Sequence, residues 1–264
     1  MAKRICSVVF CVLLALSVFG CAKTEATATP TPTAEVAAAV VEVQTEPTSA
    51  APEETGGIGI AILYEQDSDM MNSYSVIAVN EEAPFQDADG NAVDDVAINT
   101  IGAKALTDWL MSDEAAQMID SYGVSEYGEA LFSLMSDKPE SAAEIPQATE
   151  ETKPIRFSTT TSVNDSGLLA YLLPTFESKY GYTVEVFAAG TGKAIAAAVM
   201  GNADLILVHS KSQEETFIAD GYGKLLEGYS GERLTFMYNY FVLIGPKDDP
   251  AKCAEAASVK EAFA

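Results

Sequence analysis

The sequence has few basic residues and only one histidine. Its 264 residues include 15 Lys and Arg against 39 Asp and Glu, which gives a formal charge of −24. Nucleic-acid binding needs clustered Lys and Arg for phosphate contacts, so this balance excludes nucleic acid as a partner. The lone His209 is predicted to be a structural or surface residue. Without a second histidine or a G-x-S-x-G motif no serine triad can be assembled, and we expect a protein that is not an enzyme.

The chain also lacks a hydrophobic run long enough to span a bilayer at its N-terminus. Lys3 and Arg4 precede an apolar run from Ile5 to Phe19, which is typical of a signal peptide over residues 1–20. The run ends in Val-Phe-Gly-Cys, which resembles a bacterial lipobox. Cys21 is therefore predicted to carry lipid and to become the mature N-terminus. Ordinary secretion with cleavage nearby is the alternative.

The four cysteines exclude a disulfide framework. Cys6 and Cys11 leave with the predicted signal peptide, and Cys21 is predicted to be lipidated. Cys253 is then a single free thiol, so neither an intramolecular disulfide nor a Cys-based zinc site is expected. We expect no metal and no cofactor.

The remainder of the chain reads as two folded segments and two polar stretches. Residues 21–57 contain Ala, Thr, Pro and Glu with no aromatic side chain, a composition that predicts a disordered stalk. Residues 136–152 form a polar linker. The folded segment 59–135 lies between these two stretches, and the folded segment 153–264 follows the linker.

The pattern of the second segment predicts an α/β fold. Apolar strands alternate with amphipathic helices, which favours a mostly parallel sheet flanked by helices. We expect strands at 155–158, 183–187, 204–208 and 236–244, and helices at 166–180, 193–200 and 213–220, with a closing helix from Ala254. The first segment contains two apparent strands and then a pair of helices capped between them by Ser112.

Two strand-to-helix corners could carry a ligand, because ligands in open parallel sheets sit beyond the carboxyl ends of the strands. One corner is Thr159–Ser162 and the other is Gly190–Gly192. Both place hydroxyls and free N–H groups at a helix N-terminus, where the dipole favours negative charge. An acidic protein can thus still bind an anion through neutral donors. The alternative is that these Ser and Thr residues are ordinary helix caps.

The second segment contains the stretches "FSTTTSVNDSGLLAYLLPTFESKYGYTVEVFAAGTGKA", "ADLILVHSKSQEETFIADGYG" and "MYNYFVLIGPKDDPA". In this order they resemble the amino-terminal half of the tungstate-binding proteins of ABC transporters. The resemblance covers most of Arg156 to Ala251. It implies a periplasmic-binding-protein-like lobe. The carboxyl-terminal end of the same family resembles "NSYSVIAVN" and "GAKALTDWLMSDEAAQMIDSYGVSEYGEALF", between Asn72 and Phe132.

The family's two ends thus stand in permuted order here, and its middle is missing. We expect 59–135 and 153–250 to form one lobe through the 136–152 linker, with Trp109 and Ile119 in its core. Circular permutation is tolerated where chain termini lie close together. A gene fragment, or a tandem protein whose outer halves were lost, is the alternative.

By resemblance, five residues make a half-site for a small tetrahedral oxyanion, tungstate or molybdate: Thr160, Thr161, Ser162, Thr191 and Gly192. The family's S-R-G-D-D-S-G-T motif, whose Arg faces the anion, is absent. Losing such a charged partner removes roughly 1.5–3 kcal/mol, so weak binding is expected unless a second polypeptide completes the site.

The resemblance implies a monomeric, lipid-anchored, extracytoplasmic solute-binding protein at the cell membrane, with an ABC permease as partner. The alternative is a degenerate relative that acts as a structural or interaction lipoprotein without transport.

Overall fold

The computed structural model describes residues 59–65 and 67–263. The predicted signal peptide, the lipidation site Cys21 and the stalk over 21–57 lie outside the described residues. The chain divides into two compact units, one containing residues 59–65 and 242–263 and the other residues 67–241.

In chain order the strands are β1 (Ile60–Tyr64), β2 (Met71–Val79), β3 (Ser133–Leu134), β4 (Pro154–Thr160), β5 (Thr183–Ala189), β6 (Leu205–Val208), β7 (Gly223–Lys224), β8 (Leu234–Tyr240) and β9 (Leu243–Pro246). The α-helices are α1 (Thr100–Leu110), α2 (Asp113–Ser121), α3 (Val124–Tyr127), α4 (Thr161–Asp165), α5 (Leu168–Tyr180), α6 (Thr191–Val199), α7 (Lys211–Ala219) and α8 (Val259–Ala262).

The smaller unit is built on an antiparallel pair. Strand β1 pairs with β9, with Ala61 opposite Gly245. A 3-10 turn over Cys253–Glu255 and the short helix α8 follow. These two short elements stand where the sequence predicted one closing helix from Ala254.

The larger unit contains a mixed sheet in the order β3-β8-β2-β6-β4-β5, with β7 also paired to β2. Strand β4 pairs in parallel with β5 and β6, whereas β2 is antiparallel to β6, β7 and β8. Strands β4 to β8 consequently point one way, and β2 and β3 point the other. The prediction of an α/β fold is confirmed. The sheet is mostly parallel in the sense that five of its seven strands point in the same direction.

The central strands β2 and β6 are buried on both faces of the sheet, with successive side chains pointing to opposite sides. On β2, Val76 and Ala78 face a core formed with α1, α2 and α5, while Ile77 and Val79 face a second core formed with α6 and α7. Trp109 and Ile119, both fully buried, belong to the first core. A strand and two helices from the first sequence segment therefore share a sheet and a core with the second segment.

The residues of the predicted linker follow a fixed path. Its backbone bonds to the larger unit at Ser141, which donates to Met111 O at 3.3 Å, and at Ala148, which donates to Tyr180 O at 2.8 Å. Ile145 and Ala148 pack against the first core. The single lobe of 59–135 and 153–250 stays a prediction, which these contacts support for the part between 67 and 241.

Two predicted elements differ from those observed. The helix expected at 166–180 begins at Leu168, because Gly167 adopts a left-handed φ of 81° and separates α4 from α5. The strand expected at 236–244 is two strands, β8 and β9, interrupted at 241–242. The predicted cap Ser112 is confirmed, since its hydroxyl accepts from Ala115 N.

Candidate functional site

The two predicted corners lie side by side at one end of the sheet. In the parallel register Thr160 is opposite Ala189 on β5, and Thr159 is opposite Leu207 on β6. The three strands therefore end together. The helices that follow them begin at Thr161, Thr191 and Lys211. The third corner, after β6, was not among the predicted site residues.

The N-termini of these helices keep their donors free of side-chain caps. Among the described residues, no side chain of Thr160, Gly190 or Ser210 accepts a hydrogen bond from a backbone N–H of the helix that it precedes. In α6, Lys193 N and Ala194 N both donate to the carbonyl of Gly190. The N–H groups of Thr191 and Gly192 thus lack an intrahelical acceptor.

Gly192 leaves its own amide accessible. It is exposed, and a Cβ built there would have Gln213 Oε1 as its nearest neighbour at 3.7 Å. Its φ is ordinary, so the backbone does not require glycine at this position. The missing side chain instead lets another molecule approach the helix N-terminus closely.

The hydroxyls around the first corner divide into two groups. Ser158 Oγ donates to Ala194 O at 2.9 Å and Thr159 Oγ1 to Leu207 O at 2.8 Å, so both hold the fold together. Thr160 Oγ1 instead lies 3.1 Å from Ser162 Oγ. Thr161 is exposed. Thr160 is itself buried, whereas the exposed Thr161 and the half-buried Ser162 keep hydrogen-bonding capacity for a ligand.

The structure adds residues that sequence reasoning missed. Ser162 Oγ lies 3.4 Å from His209 Nε2, and the imidazole packs against the ring of Tyr74 with centroids 5.2 Å apart. The Tyr74 hydroxyl accepts from Asn72 Nδ2 at 2.8 Å and lies 3.4 Å from Asn239 Oδ1. The available signal was the position of His209 directly after a strand of the parallel sheet.

Burial keeps these rings uncharged at neutral pH. It raises the pKa of Tyr74, against hydrogen bonds with Ser162, Asn239 and Asn72. It also lowers the pKa of His209 below the ordinary 6.5, against a bond to the residue's own backbone and the charge of Glu214. The site therefore offers neutral donors at pH 7.

Both arginines of the described residues form ion pairs within the protein. Arg156, at the start of β4, pairs with Asp204 at 2.6 Å and donates to the carbonyls of Gly201 and Ala97. Arg233 pairs at 2.5 Å with Glu214, which is fully buried and also accepts from Ser210 N. Each guanidinium is thus paired with a buried carboxylate of the fold.

Two features are absent from residues 59–65 and 67–263. In this part of the chain no helix combines the length and the apolar character that crossing a membrane requires. In the same residues, no cluster of three or more His, Cys, Asp or Glu side chains could hold a metal ion.

Residues 146–264 match the model of a PBP superfamily domain. This match includes all three strand-to-helix corners.

Over part of its length the chain is similar to tungstate-binding proteins. It is 46% identical over 114 residues to the tungstate-binding protein TupA of Peptoclostridium acidaminophilum, covering 43% of this chain and 36% of that protein. It is 36% identical over 91 residues to TupA of Campylobacter jejuni, covering 34% of this chain and 31% of that protein. The chain thus spans about a third of the length of these relatives.

A solved structure of the tungstate ABC transporter from Geobacter sulfurreducens is 43% identical, covering 42% of this chain and 45% of that chain with a TM-score of 0.36. The predicted resemblance to tungstate-binding proteins is confirmed by these sequence similarities, and the PBP superfamily domain is matched over residues 146–264. The resemblance predicted between Asn72 and Phe132 stays a prediction.

Proposed function

We propose that this protein binds a small tetrahedral oxyanion on the extracytoplasmic face of the membrane and delivers it to an ABC permease, with tungstate as the first candidate and molybdate as the second. Binding occurs without turnover. The lipid anchor at Cys21 and the monomeric state belong to the same proposal. The similar proteins are named as tungstate-binding proteins and as a tungstate ABC transporter, which supports an oxyanion ligand and a permease partner.

The observation that carries the proposal is the convergence of neutral donors at one end of the sheet. Thr160, Thr161 and Ser162 follow β4, and Thr191 and Gly192 follow the adjacent β5. An oxyanion placed between the two corners can accept from hydroxyls and from first-turn N–H groups of α6. Hydrogen bonds with one charged partner contribute about 1.5–3 kcal/mol each, so several of them can hold an anion without an arginine.

The test is calorimetric titration of the protein with tungstate, molybdate and sulfate. We expect heat of binding with tungstate and a roughly tenfold weaker affinity in Thr191→Val, which removes one hydroxyl donor. The matched control is Thr183→Val, the same substitution at the exposed opposite end of β5.

Two outcomes would contradict the proposal, one for the site and one for the function. Equal loss of affinity in both variants would place the anion away from the corners. No heat with any of the three anions would overturn the proposal and favour the second candidate, a lipoprotein that keeps the lobe as an interaction module.

A further inference from the structure

The single histidine of the chain lies at the proposed donors. His209 follows β6 directly, and its Nε2 is 3.4 Å from Ser162 Oγ, at the long end of the hydrogen-bond range. Ser162 in turn lies 3.1 Å from Thr160 Oγ1. These three side chains form a hydroxyl relay that begins at the imidazole and ends at two of the proposed oxyanion donors.

The Ser162 hydroxyl has a single proton, and the group that accepts this proton determines what else Ser162 can donate to. A serine hydroxyl has one proton and two lone pairs. An unprotonated Nε2 accepts that proton, and Ser162 then presents only lone pairs to its other neighbours. A protonated Nε2 donates to Ser162 instead, which frees the hydroxyl proton for another acceptor. The state of Nε2 thus decides whether Ser162 can donate to an anion.

The protonation of the ring determines which way this bond runs. With its proton on Nδ1, the neutral imidazole accepts from Ser162 at Nε2, because Nε2 is the nitrogen that faces the hydroxyl. The imidazolium carries an N–H on both nitrogens, so it donates to Ser162.

We propose that His209 is a positioning residue of the oxyanion site, which turns the Ser162 hydroxyl towards the ligand when the imidazole is protonated and so makes oxyanion binding tighter in acid. This inference rests on the proposed function. The imidazolium charge acts in the same direction, since a cation near a dianion attracts it.

We attribute the pH dependence of binding to His209, because the other titratable groups near the imidazole are neutral or paired. From β2, Tyr74 contacts the imidazole, and burial raises the pKa of its phenol, so it stays neutral. From α7, the charge of Glu214 favours protonation, but Arg233 pairs with this carboxylate. The remaining charges at the start of α7, Lys211 and Glu215, pair with each other at 3.7 Å. From α4 comes the hydroxyl of Ser162.

The experiment uses the full chain without a histidine tag, so that one imidazole titrates. The probe is dilute molybdate, chosen because it stays a monomeric dianion between about pH 5 and about pH 8, the range in which histidine changes charge. Calorimetry gives the affinity across this range for the native protein and for His209→Gln. Proton NMR gives the pKa of the imidazole with and without molybdate.

We expect the affinity of the native protein to rise roughly tenfold towards acid, the effect of one added hydrogen bond to a charged acceptor. Linkage then requires molybdate to raise the pKa of His209 by the same factor. His209→Gln should show a flat profile, and Ser162→Ala should keep only the part due to the imidazolium charge.

Three other outcomes overturn the inference. If molybdate binds with an affinity that does not change with pH, and without changing the pKa of His209, then His209 has no positioning role and the proposed function stands. An equal loss of affinity at every pH in His209→Gln means that the histidine only supports the fold. Absence of binding of molybdate and tungstate at every pH overturns the proposed function as well.

Discussion

The two ends of strand β4 use polar groups in opposite ways. At the start of the strand, the carboxylate of Asp204 accepts from Asn99 N, Arg156 N and the Arg156 guanidinium, at 2.6–2.8 Å in its shortest bonds. At the other end, Thr160 and Ser162 contact each other beside uncapped helix N-termini. We call the first the charged end, because a buried ion pair holds it. We call the second the neutral end, because its exposed hydroxyls and amides carry no charge, while the ion pair of Arg233 with Glu214 there is bound to Ser210 N.

Physical chemistry favours the neutral end for the proposed ligand site. A buried carboxylate is stable only when it is paired and hydrogen-bonded, so Asp204 and Arg156 cannot exchange their partners for a ligand. Neutral hydroxyls and amides can face water and exchange it for an anion at small cost. The net charge of −24 opposes such an anion only weakly at a distance, because physiological salt screens exposed charges beyond about 8 Å.

The largest expected effect is at the charged end. Asp204→Asn removes the charge that Arg156 pairs with, and breaking a buried ion pair costs about 3–5 kcal/mol in the free energy of unfolding. Urea denaturation followed by circular dichroism measures it. Asp94→Asn, at an exposed position, is the control. A loss below about 1 kcal/mol would show that the network is not what stabilises this end.

Ser162→Ala tests the neutral end. We expect a roughly tenfold loss of oxyanion affinity, because one donor to a charged ligand disappears. The free energy of unfolding should change by less than about 1 kcal/mol, since the hydroxyl is only half-buried. Calorimetry and urea denaturation measure the two quantities, with Ser178→Ala on the exposed face of α5 as control. A stability loss like that of Asp204→Asn would make Ser162 a structural hydroxyl and remove the contrast.

Local sequence patterns predicted the corners well, because they depend on consecutive residues. Apolar runs followed by Thr-Thr-Ser or Gly-Thr-Gly predict strands that end in helix N-termini, and the parallel pairing of β4 with β5 brings them together. The split of the long helix at Gly167 escaped prediction because a left-handed φ has no periodic signal.

The rest of the site could not be predicted from local patterns because its contacts span large sequence separations. Tyr74 and Asn239 are 165 residues apart and meet because β2 inserts between β6 and β8. Strand order and register of that kind depend on the whole sheet. His209 has the same origin, since its partner Ser162 is 47 residues earlier.

A pair of glycines distinguishes the two ends more finely. Gly192→Ala should leave stability unchanged or raise it by up to about 1 kcal/mol, because the φ is ordinary and there is space for a methyl group. It should weaken oxyanion binding by crowding the first-turn amides. Gly201→Ala is the contrast at the charged end, where φ is +72° and the added Cβ meets Val96. Urea denaturation should show it to be clearly destabilised. Equal effects of the two substitutions would contradict the assignment of Gly192 to the ligand.

The smallest expected effect is the contribution of His209 to the pH dependence of stability. Burial lowers its folded pKa below the ordinary 6.5, so the unfolded chain binds more protons between these two values. Stability should therefore fall as pH falls through this window, by at most about 1.4 kcal/mol per pH unit for one group. His209→Gln should remove this part of the slope in urea denaturation at a series of pH values. Parallel curves for the two proteins would mean that the pKa of His209 is the same in both states. Acid should thus weaken the unliganded fold through the same proton that tightens ligand binding, and a bound oxyanion should offset the loss.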